Sequence, residues 1–481
     1  MRRLAGQGAV DRPEELVVGA VGCKSGAGPA GEATPVPVET PVVTDTVQAC
    51  RPSQIPLDTY VGATIGEPTS FDPAWTYETT GSAYQANIYD SLLAFNREKT
   101  SEFVPALATE WTVSDDGLSY TFVIRDGVKF HAGGTLEPHD IAYSLQRNML
   151  QDRVDGPMAL FLEPILGTSS IEDLALETAG MADDDDKTLD DVPADVTTAI
   201  CELVQAAVTA DDEAGTVTVQ VKQATPWLLQ LLAQPWGAAL DQEWMIEQGD
   251  WTGDCATWTE FHNPEAAESV LFDQGNGTGP YTLAAWKPGE EVTLEANDAY
   301  WRTEPMWEGG PSGAPRIKHI VLKLVPEWST RLAMLQAGEA DTAVVNRAEI
   351  GQVEPLVQTV YEGRDESAPS TLTNPSGTLK LFKGYPTAST TAAMFSFAIS
   401  ADSPFIGSGA LDGEGVPPDF FSDIHVRTGF NYCFDWDTYI ADGLQGEGIQ
   451  ARGPVIEGLQ GWRADSPAYS FDLDKCKAEL D

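Results

Sequence analysis

Trp111-Thr112-Val113-Ser114-Asp115-Asp116-Gly117-Leu118-Ser119-Tyr120-Thr121-Phe122-Val123-Ile124-Arg125 reads as a β-hairpin. Ser114-Asp115-Asp116-Gly117 supplies the turn, since Asp tolerates tight backbone and Gly reaches positive φ freely. Tyr120, Phe122 and Ile124 alternate onto one face of the return strand, the period of a half-buried strand. Pro105-Ala106-Leu107-Ala108 precedes the hairpin. Gly127-Val128-Lys129-Phe130-His131, Gly133 and Asp140 follow it. Turn glycines and a half-buried aromatic account for residues 127–131 as scaffold.

Outward from the hairpin, strands and helices alternate. Residues 60–66 read as a strand, ended by the turn-forming Glu67-Pro68-Thr69-Ser70-Phe71-Asp72-Pro73. Residues 83–95 carry Tyr84, Ile88, Leu92 and Phe95 at helical spacing. Helices are predicted over 138–149, 227–233 and 329–335, the last stopped by Gly338. Strands are predicted over 217–221, 281–283, 292–296, 317–325 and 340–345. Residues 167–198 read as an acidic insert poor in apolar residues, with Asp183 to Asp186 as a solvated run. Calcium is the alternative for that run, although the alternating ligands of a calcium loop are missing. The alternation predicts an α/β architecture.

Composition narrows the partners. The 481 residues include 74 acidic and 28 basic side chains, a net charge of −46. Phosphates are repelled by such a surface, which excludes nucleic acid as the default partner. Charge alone does not dock it on an anionic bilayer. Gly277-Thr278-Gly279-Pro280-Tyr281 lacks the Lys-Ser or Lys-Thr of a phosphate loop. Histidines at 131, 139, 262, 319 and 425 are scattered and select no catalytic triad. The 13 Trp fit core positions better than sugar-stacking ones.

Residues 1–56 read as an exported leader and tether. Leu16-Val17-Val18-Gly19-Ala20-Val21-Gly22 runs into Cys23, behind the basic Arg2 and Arg3. This is similar to the end of a bacterial lipoprotein signal, which makes Cys23 the expected lipidation site, although Asp11, Arg12, Glu14 and Glu15 interrupt the apolar region. Gly, Ala, Pro, Thr and Val then form a Pro-rich linker. Of the remaining cysteines, Cys201 with Cys255 and Cys433 with Cys476 are the expected pairs in an oxidising compartment, with ordinary buried thiols as the alternative; Cys50 is left odd. No spacing suits zinc.

Four ordered blocks resemble the extracytoplasmic solute-binding proteins of family 5, the oligopeptide- and dipeptide-binding group of ABC transporters. The first runs from Pro105 through Trp111, Ser114–Gly117, Tyr120-Thr121-Phe122, Arg125, Gly127–His131 and Gly133 to Asp140. The second is Gly277–Tyr281 with Trp286, Leu294, Asn297 and Tyr300-Trp301. The third is Thr330-Arg331, Leu335, Gly338-Glu339 and Asp341. The fourth is Phe421, Asp423, Val426-Arg427, Tyr432 and Asp435. Ala132 departs from the family's usual Asp.

The resemblance implies a two-lobed periplasmic-binding-protein-like fold of type II, in the peptide-binding cluster. It implies a lobe I core over 57–97 and 215–285, an extra subdomain of lobe I over 98–214, and lobe II over 286–481. Residues 471–481 resemble a helix lying well inside lobe II, so that lobe is expected to be incomplete. The implied function is capture of an oligopeptide or related solute between the lobes, without cofactor or catalysis, for delivery to permease and ATPase subunits. The protein is expected to act as a monomer in the periplasm or on the outer face of the membrane. An oligosaccharide or nickel complex is the alternative ligand, and a secreted hydrolase the alternative class. The resemblance places Glu67, Thr69, Ser70, Phe71 and Asp72 at the cleft, with Glu457, Gln460 and Trp462 from the second lobe.

Overall fold

The structure is a computed structural model that describes residues 54–97, 99–184, 186–362, 371–385, 387, 389–459 and 461–481, together with the backbone of 15–20. Glu15–Ala20 forms β1 and Thr59–Thr64 forms β2. Helix α1 (Thr79–Ile88) is capped by Glu78, whose carboxylate accepts from the Gly81 N–H. The helix predicted over 83–95 therefore starts earlier and stops at Ile88. Asp90 explains the stop. It accepts from Thr278 Oγ1 at 2.9 Å, Tyr300 Oη at 3.1 Å and Trp301 Nε1 at 2.8 Å, contacts that draw the chain out of the helix. Beyond it Leu93–Asn96 (β3) pairs antiparallel with Lys99–Pro105 (β4).

The hairpin forms as expected from Ala108–Val113 (β5) and Ser119–Ile124 (β6), with Gly117 at φ +71°. Tyr120, Phe122 and Ile124 are buried on its inner face. Val208–Asp211 (β7) and Thr216–Gln220 (β8) complete an antiparallel sheet in the order β5-β6-β8-β7. Helix α2 (Pro138–Gln151) packs on β7 and β8, flanked by α3 (Ala159–Leu166), α4 (Ile171–Thr178) and α5 (Ala194–Ala207). The acidic, apolar-poor stretch 167–198 is mostly folded into helices. Ile171, Ala175, Leu189 and Val192 are buried, so sparse apolar residues at the right spacing suffice while the acids face water. Asp183, Asp184 and Asp186 are exposed, and Asp185 lies outside the described residues.

Leu228–Leu232 (α6) and Gln242–Glu247 (α7) lead to the second layer. It contains Tyr281–Lys287 (β9), Glu291–Ala296 (β10), His319–Leu324 (β11), Trp328–Ala337 (α8) and Thr342–Asn346 (β12). Ile350–Val353 (α9), Val357–Glu362 (β13), Thr371–Leu372 (β14) and Leu379–Lys383 (β15) follow. With β1 and β2, these seven strands form a nine-stranded sheet in the order β14-β13-β15-β1-β12-β2-β11-β10-β9. Strand β2 is parallel to both β11 and β12, and β1 lies antiparallel between β12 and β15. Val61, Ala63, Leu335, Val345, Val353, Leu379 and Leu381 make its core.

Two expected divisions do not coincide with breaks in these sheets. The 214/215 division falls in the β7–β8 turn, and 285/286 falls inside β9, which pairs with β10. Residues 15–20, expected in a leader, form a sheet strand; Cys23 and Cys50 lie outside the described residues.

Ile424–Cys433 (α10), Trp436–Thr438 (α11) and Leu473–Leu480 (α12) close the chain. Helix α10 packs on α12. Cys201 stands with Cys255, and Cys433 with Cys476, at disulfide distance, with Cα–Cα separations of 5.4 and 5.1 Å. Among the described residues beyond 383, only Gly429 and Cys476 are buried. Phe405 and Met394 are 75% and 90% exposed, so this part carries no core of its own.

Candidate functional site: the loop after strand β2

The turn-rich sequence after β2 divides into an exposed edge and a buried root. Glu67 and Thr69 are exposed, whereas Ser70, Phe71 and Asp72 are fully buried. The root is held from three sides. The Ser70 hydroxyl accepts from Asp72 N–H at 3.0 Å, and Thr76 Oγ1 donates to the Ser70 carbonyl at 2.9 Å. The Phe71 N–H donates to the Leu271 carbonyl at 3.2 Å. Its ring packs edge-on against Tyr84 and Trp286, with centroids 6.1 and 5.5 Å away.

Asp72 is the centre of a buried ion network. Arg147, on α2, donates to both its oxygens at 2.8 Å and to both oxygens of Asp250 at 3.2 and 2.8 Å. Ser269 Oγ and the Ala74 N–H supply further donors to Asp72 at 2.6 and 2.9 Å. Burial alone would raise the Asp72 pKa. The Arg147 charge and these hydrogen bonds outweigh it and hold the carboxyl below its ordinary range. The same pairing raises Arg147 against the opposing effect of burial. The Asp72 carboxylate is thus spent on fixing the loop.

The exposed edge is braced rather than loose. Glu67 accepts from the Gly289 N–H in the β9–β10 turn at 2.8 Å. Glu78 Oε1 accepts from the Thr69 and Gly81 N–H groups, each at 3.2 Å. Gly66, Glu67, Tyr84 and Trp286 line a shallow crevice with no room for a water molecule. An aromatic pair flanks the loop: Tyr77 and Trp236 meet edge-on at 5.2 Å, and Trp236 Nε1 donates to the Thr76 carbonyl at 2.8 Å. Tyr77 is 54% exposed. Sequence reasoning missed this pair, because Tyr77 lies just past the turn and Trp236 is remote in sequence.

The second expected group lies elsewhere. Glu457 is exposed, Trp462 is half-buried and Gln460 is outside the described residues. Their segment rests on the β3–β4 hairpin, where Thr100 Oγ1 donates to the Gly458 carbonyl at 3.1 Å. Among the described residues, no hydrogen bond joins it to the β2–α1 loop. The expected structural role of residues 127–131 fits their contacts: the His131 N–H donates to the Gly277 carbonyl at 2.9 Å, and its ring meets the Gly279 carbonyl at 3.0 Å.

The comparisons with known proteins agree with this fold. A family model described as "Bacterial extracellular solute-binding proteins, family 5 Middle" matches residues 102–481. The chain belongs to that family. It is 24% identical over 438 residues to the heme-binding protein A of Haemophilus influenzae, covering 88% of this chain and 61% of that protein. It is 24% identical over 439 residues to the dipeptide-binding protein of Escherichia coli, covering 89% and 64%. The ABC transporter-associated periplasmic binding protein DppA of Helicobacter pylori, solved with the peptide STSA, matches with a TM-score of 0.52 and 20% identity. That match covers 88% of this chain and 65% of the other. The family 5 chain described here therefore spans less than two thirds of each of these relatives, and it shares the family's two-lobed α/β fold.

Proposed function

We propose that this family 5 protein is the extracytoplasmic substrate-binding component of an ABC importer that captures an oligopeptide or related solute and delivers it to a permease. The observation that carries the reading is the β2–α1 loop: its edge is exposed, while its root is locked by Asp72, Arg147 and Asp250. A pre-organised main-chain edge suits an extended peptide, because backbone pairing gives affinity that depends little on side chains. Tyr77 and Trp236 extend that edge with apolar surface. Glu67 and Thr69 are the loop's contacts with ligand in this reading, with Glu457, Gln460 and Trp462 closing from the other lobe. The relatives are named as binding proteins, two of them with peptides, which favours capture and release over hydrolysis.

In the same reading, Cys201–Cys255 and Cys433–Cys476 are disulfides of an oxidising compartment, and the protein acts as a monomer. ATP is hydrolysed by partner subunits. Cys23 is the point of lipid attachment. Processing there removes residues 1–22, and with them β1, so the intact mass of the membrane-associated protein decides between a chain starting at lipidated Cys23 and one that keeps its ninth strand. Native mass spectrometry with a mixture of di- to nonapeptides tests the ligand class. Retention of intact peptides at one per protein supports it, and no retained peptide across the mixture overturns it.

A further inference from the structure

Helix α2 begins with a half-buried histidine flanked by four carboxylates, of which Asp140 is buried and Glu137, Asp212 and Glu243 are exposed. His139 Nδ1 lies 3.0 Å from Asp212 Oδ2 and 3.5 Å from Glu137 Oε2. On the opposite edge, Nε2 lies 3.3 Å from Glu243 Oε1 and 3.9 Å from Asp140 Oδ1. Glu137 and Asp140 belong to the start of α2, Asp212 to the β7–β8 turn and Glu243 to α7. Asp212 also accepts from the His139 backbone N–H at 3.0 Å. Asp241, the cap of α7, is engaged by Trp244 N–H and Asn276 Nδ2 at 3.0 and 3.2 Å.

A neutral imidazole has one N–H, so one edge would turn a lone pair toward carboxylates. The imidazolium donates from both edges and satisfies both sides. Burial by itself lowers the His139 pKa. Asp140, Asp212 and Glu243 outweigh it and raise it above the ordinary value. Asp140, buried at the helix start, is pushed up to about 7, chiefly by desolvation.

We propose that protonated His139 is a pH-operated clasp that holds the β7–β8 turn and helix α7 to the start of α2. The clasp joins the network beneath the candidate site. Asp250, three residues beyond α7, is bound to Arg147, which stands eight residues along α2 from His139, or roughly 12 Å at 1.5 Å per residue. One end of the α7 segment is thereby tied to α2 through a titratable ring, beside the Gln242 N–H that donates to Asp140 Oδ1 at 2.9 Å, and the other through permanent charges. The raised His139 pKa gives a contribution fully present below the unfolded value, about 6.5, that is lost as pH rises through the folded value. Release of the Asp140 proton runs in the same direction and leaves carboxylates facing a neutral ring.

The test follows the histidine and the two elements it holds in the full chain. In ¹³C-labelled protein, the His139 ring signal, assigned by its loss in His139→Gln, should titrate with a midpoint above 6.5. After correction for intrinsic rates, hydrogen exchange at residues 212–215 and 242–247 should accelerate about tenfold for each pH unit by which the folded midpoint exceeds 6.5. The step should shrink in His139→Gln, where Asp140 alone still titrates. If that variant fails to fold, Asp212→Asn and Glu243→Gln should each lower the wild-type ring midpoint. A midpoint at or below 6.5, exchange that lacks the pH step in the wild type, a step undiminished in His139→Gln, or a midpoint unmoved by both carboxylate changes overturns the clasp. None of these readouts involves a ligand, so the proposed transport function can fail without affecting them.

Discussion

Replacing Arg147 with methionine removes the only cation paired with Asp72 among the described residues and leaves Asp72 and Asp250 buried, with side chains 0% and 3% exposed. A buried carboxylate without a counter-ion takes up a proton. The cost of that uptake grows with distance from the unfolded pKa of about 3.9, at about 1.36 kcal/mol per pH unit. It is therefore about 4 kcal/mol per carboxyl at pH 7 and about 1.5 kcal/mol at pH 5. Ser269 and neighbouring N–H groups continue to support the charged forms, so one full neutralisation is the fair expectation rather than two. That agrees with the roughly 3–5 kcal/mol lost when one partner of a buried pair is removed. Urea unfolding followed by tryptophan fluorescence should show Arg147→Met losing about 4 kcal/mol at pH 7 and well under half of that at pH 5. Asp72→Asn in the same background should recover part of the loss. If Arg147→Met does not fold at pH 7, the comparison is made at pH 5 with Arg147→Lys, whose single ammonium cannot fork between both carboxylates. A loss under about 1 kcal/mol, or one that does not depend on pH, would refute the idea that this network locks the loop.

Two further outcomes follow from packing. A Cβ on Gly277 would sit 2.1 Å from the Ile88 carbonyl, whereas Gly351 has nothing within 4 Å; Gly277→Ala should cost at least 1–3 kcal/mol and Gly351→Ala should be neutral or slightly stabilising in the same unfolding assay. The proposed Cys433–Cys476 disulfide would close a loop of 43 residues in a part with almost no buried side chains, so its reduction should remove about 4 kcal/mol of local restraint. Limited proteolysis should then cut between α10 and α12 while leaving the β5–β8 sheet intact.

The hairpin at 108–124 was legible because everything that makes it is local: a Gly turn and period-two apolar residues within one short window. Strand β2, helix α2 and helix α8 were legible for the same reason. The end of α1 was not, because Asp90 is drawn out by Thr278, Tyr300 and Trp301, all nearly two hundred residues away or more. The helices of the acidic stretch were not legible, because net charge concealed the spacing of Ile171, Ala175, Leu189 and Val192. The loop carrying Glu67 to Asp72 could be placed at the cleft from family resemblance. That Asp72 faces inward could not, since its partners Arg147 and Ser269 stand 75 and 197 residues away. Tyr77 and Trp236 likewise become neighbours only through the fold.

The central claim is reversible capture of a peptide-like solute, and calorimetric titration of the purified protein tests it most directly. The ligand is the peptide best retained in native mass spectrometry, and its mass is read before and after. The account predicts saturable binding at one site, weakened by Arg147→Lys through the loop and absent with the peptide's components as free amino acids, with the peptide recovered unchanged. Heat without saturation, or cleavage of the peptide that tracks the pure protein, would contradict it.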